Sequence, residues 1–484
     1  MSLFSPRRYQ QAYLPYTRDT LPIRAFTSFE RWAKSVGFSC RMCGNCILQE
    51  TAFICPMTCP KGLRNGPCGG STPEHCYVDE TRPCTWYKIY ERSERLGRTA
   101  RLLEVNAPLD GRKVGHETWL DLVRIYRGKG HHINVLDFVA NKERFSDSWD
   151  RFFYDVRQPD WWKGDDQYHA PGYSEPITDL ERSLRSGRFT VTGEIAPPLT
   201  ANVDPMVKKA HLIHDYVVAA NFTDNASASP RMSSLASAVK CLEAGLEPVL
   251  QLAARDRTRY AIESEVLGAA ALGVRNILCL TGDHLRLGPG PTPKPDQNDM
   301  DAIQVLWMLR RMRDEGIYLD GREIKTPPKF FLGAAASPYA ALPRYEAIRE
   351  EKKVNAGAQF IQTQPVFDYG RFTEWLEAVD KRNILDKVYI LPGIIPLKSA
   401  KAAHMMAEVP GVVVPPDLVR RMDNAKDEKE EGVAIALEII EKLHATQGIH
   451  GLHIMAVHWE EIIPRLIDES GLPKPVRAAS GVPA

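Results

Sequence analysis

The sequence predicts an α/β protein, in which a smaller cysteine-rich, metal-binding domain of α+β or irregular structure precedes a (β/α)8 TIM barrel. Three observations lead to this prediction. Eight of the ten cysteines fall between Cys40 and Cys84. From Phe189 onward, short β-branched runs alternate with longer stretches of helical periodicity, as in βα units around a parallel sheet. Eight such runs fit a barrel, which usually takes about 250 residues. We therefore expect a front domain over residues 1–185 and a barrel over residues 186–484.

The composition is that of an ordinary globular protein. The 484 residues are 44% hydrophobic and 25% charged, with a formal net charge of +1, so nothing indicates a nucleic-acid partner. The apolar run 388–397 is about half of the ~20 residues that a membrane span requires. Residues 1–16 carry charge and proline and lack the apolar core of a secretory signal. We expect a cytoplasmic protein without membrane contact.

The spacing of the cysteines indicates metal ligands. Cys40, Cys43 and Cys46 set three thiolates around one point, as the bacterial ferredoxin run does. Since no oxidising compartment is implied, zinc or iron-sulfur ligation is favoured over disulfides. Two four-ligand sites would hold either two clusters or one cluster and one zinc, and the pattern leans toward iron. The predicted ligands are Cys40, Cys43, Cys46, Cys55, Cys59, Cys68, Cys76 and Cys84.

Between the cysteines and the barrel, helical periodicity predicts helices near residues 87–103 and 116–127. An aromatic, charged segment follows at residues 149–173. Its Trp161-Trp162 pair favours a linker that packs across two domains, with an aromatic substrate platform as the less favoured alternative.

The barrel elements follow in order along the chain. The predicted strands are residues 189–196, 216–224, 248–255, 276–283, 329–337, 358–367, 388–396 and 451–457. The helices predicted between them are residues 204–214, 232–246, 258–271, 301–314, 343–356, 369–379 and 430–445.

Polar residues stand at the carboxyl ends of these strands, where barrel enzymes assemble their active sites. Alternatively, Asp224, Asp256, Asp283 and Asp368 each suit the cap of a following loop or helix. No dinucleotide fingerprint follows a strand and no phosphate loop occurs, so any nucleotide cofactor would bind on the barrel rim. The rim candidates are Glu194, Thr223, Asp224, Asn225, Arg255, Asp256, Thr281, Gly282, Asp283, Ser337, Gln362 and Gln364.

Five motifs follow one another along the barrel. They are Gly193-Glu194-Ile195-Ala196-Pro197-Pro198, Thr281-Gly282-Asp283, Lys353-Val354-Asn355-Ala356-Gly357-Ala358, Gln364-Pro365-Val366-Phe367-Asp368 and Leu391-Pro392-Gly393-Ile394-Ile395-Pro396. In this order they resemble the methylenetetrahydrofolate reductase family. The cysteine-rich front resembles the zinc and iron-sulfur partner subunit found with the reductases of acetogenic bacteria, fused here ahead of the barrel.

The resemblance implies an oxidoreductase that interconverts 5,10-methylenetetrahydrofolate and 5-methyltetrahydrofolate through a barrel-bound flavin, FAD or FMN. Glu194 would be the general acid, in an apolar setting that favours its protonated form. Asp283 would stabilise the cationic iminium. Gln364 and Phe367 would bind the folate substrate. The implied cofactor contacts are Thr223, Gln251, Thr281, Gly282, Asp283 and Lys353.

Three positions depart from the family pattern. Gln251 stands where a histidine is usual, Thr281 stands where an arginine is usual, and Ala334-Ala335-Ala336-Ser337-Pro338 replaces a segment with tyrosine and histidine. Several of those groups touch the flavin, so FAD, FMN and no flavin all stay open. The donor, either NAD(P)H or a ferredoxin-type carrier acting through the metal clusters, and the direction of reaction stay open as well.

Two other functions remain open on the sequence. One is a pterin-binding methyltransferase barrel acting on methyltetrahydrofolate, and the other is a zinc scaffold that docks a partner redox subunit. A homo-oligomer is compatible with either.

Overall fold

Eight parallel strands form a closed barrel in the computed structural model, which describes residues 20–115, 117–119, 158–291 and 298–476. Each strand pairs with the next along the chain, and the last pairs with the first. The strands β1 to β8 are Thr190–Ile195, Ala219–Phe222, Glu247–Ala253, Asn276–Leu280, Phe331–Ala336, Phe360–Pro365, Tyr389–Ile394 and Gly451–Ile454. Each predicted run overlaps one of these strands, so the predicted (β/α)8 barrel is confirmed.

The strands read as apolar runs because the helices cover their outer faces and side chains fill the barrel interior. Every residue of β2 and of β8 is buried. The helices α1 to α13 are Leu21–Phe38, Thr85–Arg95, Asp179–Arg185, Asp204–Ile213, Ser234–Glu243, Arg259–Ala271, Ala302–Asp314, Pro343–Asn355, Tyr369–Asp380, Ala400–Ala407, Pro416–Asp423, Glu428–His444 and Ile463–Ser470.

The helices predicted between the strands are all present, with ends shifted by up to three residues. The helix predicted at 87–103 is shorter: α2 ends at Arg95, Gly97 follows with φ +64°, and a separate 3-10 turn spans Thr99–Leu103. The helix predicted at 116–127 lies almost wholly outside the described residues. Helices α1, α3, α10, α11 and α13 were not predicted. None of the helices in the described ranges is long and apolar enough to cross a membrane.

Helix α3 closes the amino end of the barrel. Its Leu180 and Leu184 pack against strand residues at that end, including Phe331 and Phe360. The carboxylate of Glu247 accepts hydrogen bonds from the first two N–H groups of α3, at 2.7 and 2.9 Å. A negative charge at a helix N-terminus is stabilising, so this contact fixes the helix on the barrel. The domain limit at residue 185 remains a prediction.

The front module, residues 20–115, packs over the barrel near the N-termini of α7 and α8. Asn65 donates to the Asp301 carboxylate over 2.9 Å, and the rings of Tyr90 and Tyr345 stack with centroids 4.9 Å apart. The predicted linker contacts both parts: the indole of Trp162 donates to Val105 O over 2.9 Å, and Trp307 donates to Trp162 O over 3.2 Å. These contacts place the cysteines close to the carboxyl ends of the strands.

Candidate active site

Glu194 lies at the carboxyl end of β1, inside the barrel mouth. Its Oε2 accepts a hydrogen bond from Gln251 Nε2 at 3.1 Å, and His453 Nε2 lies 3.6 Å from the same oxygen. The Glu194 side chain is 16% exposed, so one side remains open to a ligand. The expectation of an apolar setting is wrong, because the β3 amide and the β8 imidazole face the carboxylate.

A buried polar layer beneath Glu194 fixes the orientation of His453. The histidine Nδ1 lies 3.0 Å from Thr192 Oγ1, and Gln362 Nε2 donates to the same hydroxyl over 3.2 Å. Asn221 Nδ2 donates in turn to Gln362 Oε1 over 2.6 Å. Buried polar groups with satisfied hydrogen bonds hold one geometry, so Nε2 of His453 is directed at the carboxylate.

Asp283 follows β4 and receives donors from two different parts of the chain. Its Oδ2 accepts from Ser227 N at 3.0 Å, and its Oδ1 accepts from the hydroxyl of Tyr77, in the front module, at 3.4 Å. Burial and the nearby Asp283 charge raise the pKa of Tyr77, so the phenol stays a donor at physiological pH.

The capping alternative is confirmed for Asp368 alone among the four aspartates. Its carboxylate accepts from Arg371 N at 3.0 Å at the start of α9. Asp224 instead accepts from Ala253 N at 2.8 Å, and Asp256 pairs with Arg255.

Two predicted ligand-binding residues present unused polar groups at the rim. The hydroxyl of Thr223, at the end of β2, is buried and has no hydrogen-bond partner among the described residues. Gln364 is half-buried at the end of β6, and its amide forms no hydrogen bond to the described part of the chain. A buried hydroxyl without a partner costs free energy, so Thr223 is suited to a ligand that would satisfy it.

Three side chains that were predicted to contact a ligand are hydrogen-bonded or packed elsewhere in the protein, away from the open rim. The hydroxyl of Thr281 accepts from Ala302 N at 3.1 Å, at the start of α7. Lys353 is 1% exposed and donates to Glu350 Oε1 over 2.7 Å and to Ala335 O over 2.6 Å. Phe367 is 5% exposed and packs in the barrel core. The structure therefore does not bring these side chains together with Glu194.

Gly282 and Ser337 mark where the front module lies on the rim. Lys61 Nζ donates to Gly282 O over 2.6 Å. A Cβ added at Gly69 would overlap Ser337 Oγ, and one added at Gly411 would lie 3.1 Å from Gly69 O. The module thus approaches the ends of β4 and β5 so closely that a side chain at Gly69 has no room.

The eight front cysteines line two separate cavities, four in each. The first cavity, which we call the outer set, is lined by Cys40, Cys43, Cys46 and Cys55, with Lys34 and Arg64 in its wall. The second, the rim set, is lined by Cys59, Cys68, Cys76 and Cys84, together with Lys61. Lys61 also contacts Gly282, and Tyr77, next to Cys76, contacts Asp283, so the rim set lies close to the chain segment that follows β4.

Burial and hydrogen bonding shift the pKa values of four of these thiols. Burial raises the pKa of Cys46 and Cys84, and raises that of Cys59 to about 12. A hydrogen bond with Cys55 lowers the pKa of Cys40 to about 6. A bound cation would replace the protons of the buried thiols, because the thiolate is the ligand form.

Within the described ranges, no group of three or more His, Cys, Asp or Glu side chains is arranged to hold a metal ion. A single tetrahedral zinc with ~2.3 Å bonds requires four sulfurs that converge on one point. The thiols around each cavity are the donor type that both zinc and iron-sulfur clusters take, so the donor set itself fits either group.

Lys61, Tyr77 and His453 were not predicted as site residues. Lys61 and Tyr77 lie among the cysteines, and only the folded chain brings them to the barrel. His453 had a usable signal, since a histidine inside a fully buried strand requires a polar partner.

A closed parallel barrel with acidic and amide side chains at its carboxyl rim defines this chain as a (β/α)8 barrel enzyme. Residues 179–471 match the family model described as "Methylenetetrahydrofolate reductase". The chain belongs to the methylenetetrahydrofolate reductase family. Residues 23–112 match a second model, described as "Methylene-tetrahydrofolate reductase C terminal". The predicted likeness of the front to a zinc and iron-sulfur partner subunit remains a prediction.

Curated reductases are similar to this chain at modest identity. The chain is 24% identical to 5,10-methylenetetrahydrofolate reductase of Escherichia coli over 293 residues, 58% of this chain and 92% of that protein. It is 27% identical to methylenetetrahydrofolate reductase 1 of Schizosaccharomyces pombe over 235 residues, 47% of this chain but only 36% of that longer protein.

A solved structure from Clostridium thermocellum, described as binding two copies of 5-methyl-5,6,7,8-tetrahydrofolic acid, is also similar. It is 16% identical at a TM-score of 0.44, over 61% of this chain and 99% of that one.

Proposed function

We propose that this protein interconverts 5,10-methylenetetrahydrofolate and 5-methyltetrahydrofolate. The observation that carries the proposal is the arrangement at the rim, where Glu194, held by Gln251 beside His453, lies in the barrel mouth with Asp283. Membership of the reductase family supports the folate substrate.

The reaction requires a proton before it requires a hydride. Protonation of one bridging folate nitrogen opens the five-membered ring to an iminium, and a hydride on the iminium carbon gives the methyl group. Glu194 supplies this proton as the general acid, and His453, 3.6 Å away, is placed to return a proton to the carboxylate. In the oxidation of methyltetrahydrofolate the same carboxylate takes the proton back.

Asp283 and Gln364 orient and stabilise the folate, and Thr223 is left to contact the cofactor. Asp283 provides a negative charge for the cationic iminium, which develops as the ring opens. The free amide of Gln364 suits the paired donors and acceptors of the pterin edge. The partnerless Thr223 hydroxyl gains a hydrogen bond when a ring system fills the mouth.

A flavin fits this site in part. Thr223, Gln251 and Asp283 offer hydrogen-bonding groups to an isoalloxazine ring, which when bound would carry the hydride equivalent to or from the folate. The groups expected to hold the rest of the cofactor do not fit: Lys353 is buried against Glu350, and Thr281 is bonded to the start of α7. FAD and FMN therefore remain equally open within the proposal.

The front module supplies the electron path in this proposal. Two sets of four cysteines around separate cavities support two iron-sulfur clusters, with zinc as the alternative for either set. The rim set lies nearer the active site, because Lys61 joins its wall to Gly282. A ferredoxin-type carrier would then deliver electrons to the outer set, whereas NAD(P)H would have to reach the barrel mouth directly.

The first test is the ultraviolet-visible spectrum of protein purified without oxygen, before and after dithionite, followed by turnover of methyltetrahydrofolate with an artificial acceptor. A flavin spectrum over a broad, bleachable shoulder, with folate turnover, is the expected result. A spectrum without flavin or iron, with no oxidation of methyltetrahydrofolate, would contradict the redox proposal. Methyl transfer to a corrinoid would then be tested.

The cysteine sets are tested by paired variants. Cys46→Ser should remove the metal of the outer set and Cys84→Ser that of the rim set, each lowering the iron content by about half if each set holds one cluster of the same type. Cys241→Ala, in a buried barrel cysteine outside both sets, is the control and should keep all the iron. Stoichiometric zinc without iron would reject the clusters and leave a structural module.

A further inference from the structure

The hydroxyl of Tyr77 reaches from the front module to the barrel carboxylate. Tyr77 and Asp283 lie 206 residues apart in the sequence, and the hydroxyl donates to Oδ1 over 3.4 Å. The other carboxylate oxygen accepts from the backbone N–H of Ser227 at 3.0 Å. Among the described residues each oxygen therefore has one donor, and the orientation of the carboxylate depends on the front module.

Tyr77 is itself held on two sides. Its N–H donates to Ser71 Oγ over 3.0 Å, and that hydroxyl lies 3.3 Å from the Sγ of Cys68. Its ring packs on Gly70, where an added Cβ would lie 3.0 Å from Tyr77 Cδ2 and 3.2 Å from Pro410 Cβ. Tyr77 directly follows Cys76, a member of the rim set. It thus connects that set to the barrel site.

We infer that Tyr77 is a positioning residue of the barrel active site and acts through Asp283. The inference rests on the proposed function, since it gives Asp283 the task of facing a cationic folate. Without the phenol, Oδ1 loses its donor and the carboxylate is free to rotate about its bond to Cβ. Charge stabilisation depends on a group held in place before the reaction, so the loss should fall on the chemical step.

The test is Tyr77→Phe, which removes the hydroxyl alone, in the complete protein with its cofactors. We expect kcat for methyltetrahydrofolate oxidation to fall on the order of tenfold to a hundredfold, with KM changed by less than about threefold. Tyr345→Phe is the matched control, because its hydroxyl also donates to a carboxylate across the boundary between module and barrel, that of Glu94 at 2.6 Å, and not to Asp283. It should leave kcat unchanged.

A double-mutant cycle with Asp283→Asn separates positioning from a structural effect. If Tyr77 acts through Asp283, Tyr77→Phe should cause no further loss of kcat in the Asp283→Asn background. Additive losses would overturn the inference, even if the melting temperature falls, because damage to the fold would add to the loss of the carboxylate. A Tyr77→Phe variant with wild-type kcat would also overturn the inference. Failure of the wild-type protein to oxidise methyltetrahydrofolate would overturn the proposed function together with the inference. Failure of the inference alone would leave the wild-type activity intact, so the two results are distinguishable.

Discussion

The ammonium group of Lys61 donates to the carbonyl oxygen of Gly282 over 2.6 Å, although the two residues are 221 positions apart. Lys61 lines the rim set of cysteines, and Gly282 belongs to the segment after β4 that carries Asp283. One hydrogen bond thus joins the cysteine-rich front module to the loop that carries Asp283. The front module covers part of the barrel mouth, above the place where the proposed folate chemistry would occur.

Close packing at Gly69 predicts that even a small substitution there will disturb the packing of the front module on the barrel. Gly69→Ala places a Cβ against Ser337 Oγ and should lower the free energy of unfolding by about 1–3 kcal/mol. Ser337→Ala in the same protein should recover part of the loss. Gly111→Ala is the control, since no atom lies within 4 Å of a Cβ there. Urea unfolding measures all four proteins, and equal stabilities of the two glycine variants would contradict the packing.

Removal of the proposed acid predicts a loss of turnover with binding retained. Glu194→Gln keeps the size and the hydrogen-bonding capacity of the side chain but cannot donate a proton as a carboxylic acid. We expect kcat to fall on the order of a thousandfold, with the Kd for methyltetrahydrofolate within a few-fold of wild type. Glu243→Gln, on the exposed end of α5, is the control. Full turnover by Glu194→Gln would remove Glu194 from the mechanism.

The partnerless hydroxyl of Thr223 predicts opposite effects on stability and binding. Thr223→Val removes a buried polar group that has no partner, so the melting temperature should stay constant or rise. The Kd for the ligand whose ring system fills the barrel mouth should rise about tenfold, which corresponds to the free energy of one hydrogen bond. Thr363→Val is the contrast: its hydroxyl accepts from Gly393 N at 3.1 Å and donates to Gln364 O at 2.7 Å, so its loss should lower the melting temperature. A lower melting temperature for Thr223→Val would show that the hydroxyl has a hydrogen-bond partner in the folded protein.

Because Lys352 is buried, we expect the free energy of unfolding to depend on pH. Burial lowers its pKa to about 8, although the charges of Asp301, Glu104 and Glu50 oppose the shift. In the unfolded chain a lysine has a pKa of about 10.4. Between these values the unfolded state binds more protons, so the stability of the wild type should rise with pH from about 8 to about 10.4. Below about pH 8 the folded protein carries the full cost of the buried charge.

Lys352→Met should therefore be more stable than wild type at pH 7, by roughly 1–3 kcal/mol. The advantage should shrink as the pH rises from about 8 to about 10.4. Lys88→Met, on the exposed face of α2, is the control and should show no such pH dependence relative to wild type. A constant difference between Lys352→Met and wild type at every pH would mean that the lysine remains charged in the folded protein.

Local patterns were sufficient for the barrel and for much of the candidate site. Strand-length apolar runs and helical periodicity identified all eight strands, because side chains buried on both faces of a parallel sheet must be apolar wherever the chain lies in space. The same logic placed Glu194 and Thr223 at strand ends, whereas Gln251 was identified only through the family resemblance. Short helices such as Ala400–Ala407 were missed, because a helix of so few residues does not show a clear hydrophobic periodicity.

By itself, the sequence determined the barrel, the family motifs and the presence of eight clustered cysteines. Only the tertiary structure decided which cysteines share a cavity, that Lys353 faces Glu350, and that Tyr77 and Lys61 reach the barrel rim. The reason is physical: an element's own periodicity reports its burial, which is a local property. A contact across two hundred residues depends on how separately folded parts pack, and no local pattern encodes that geometry.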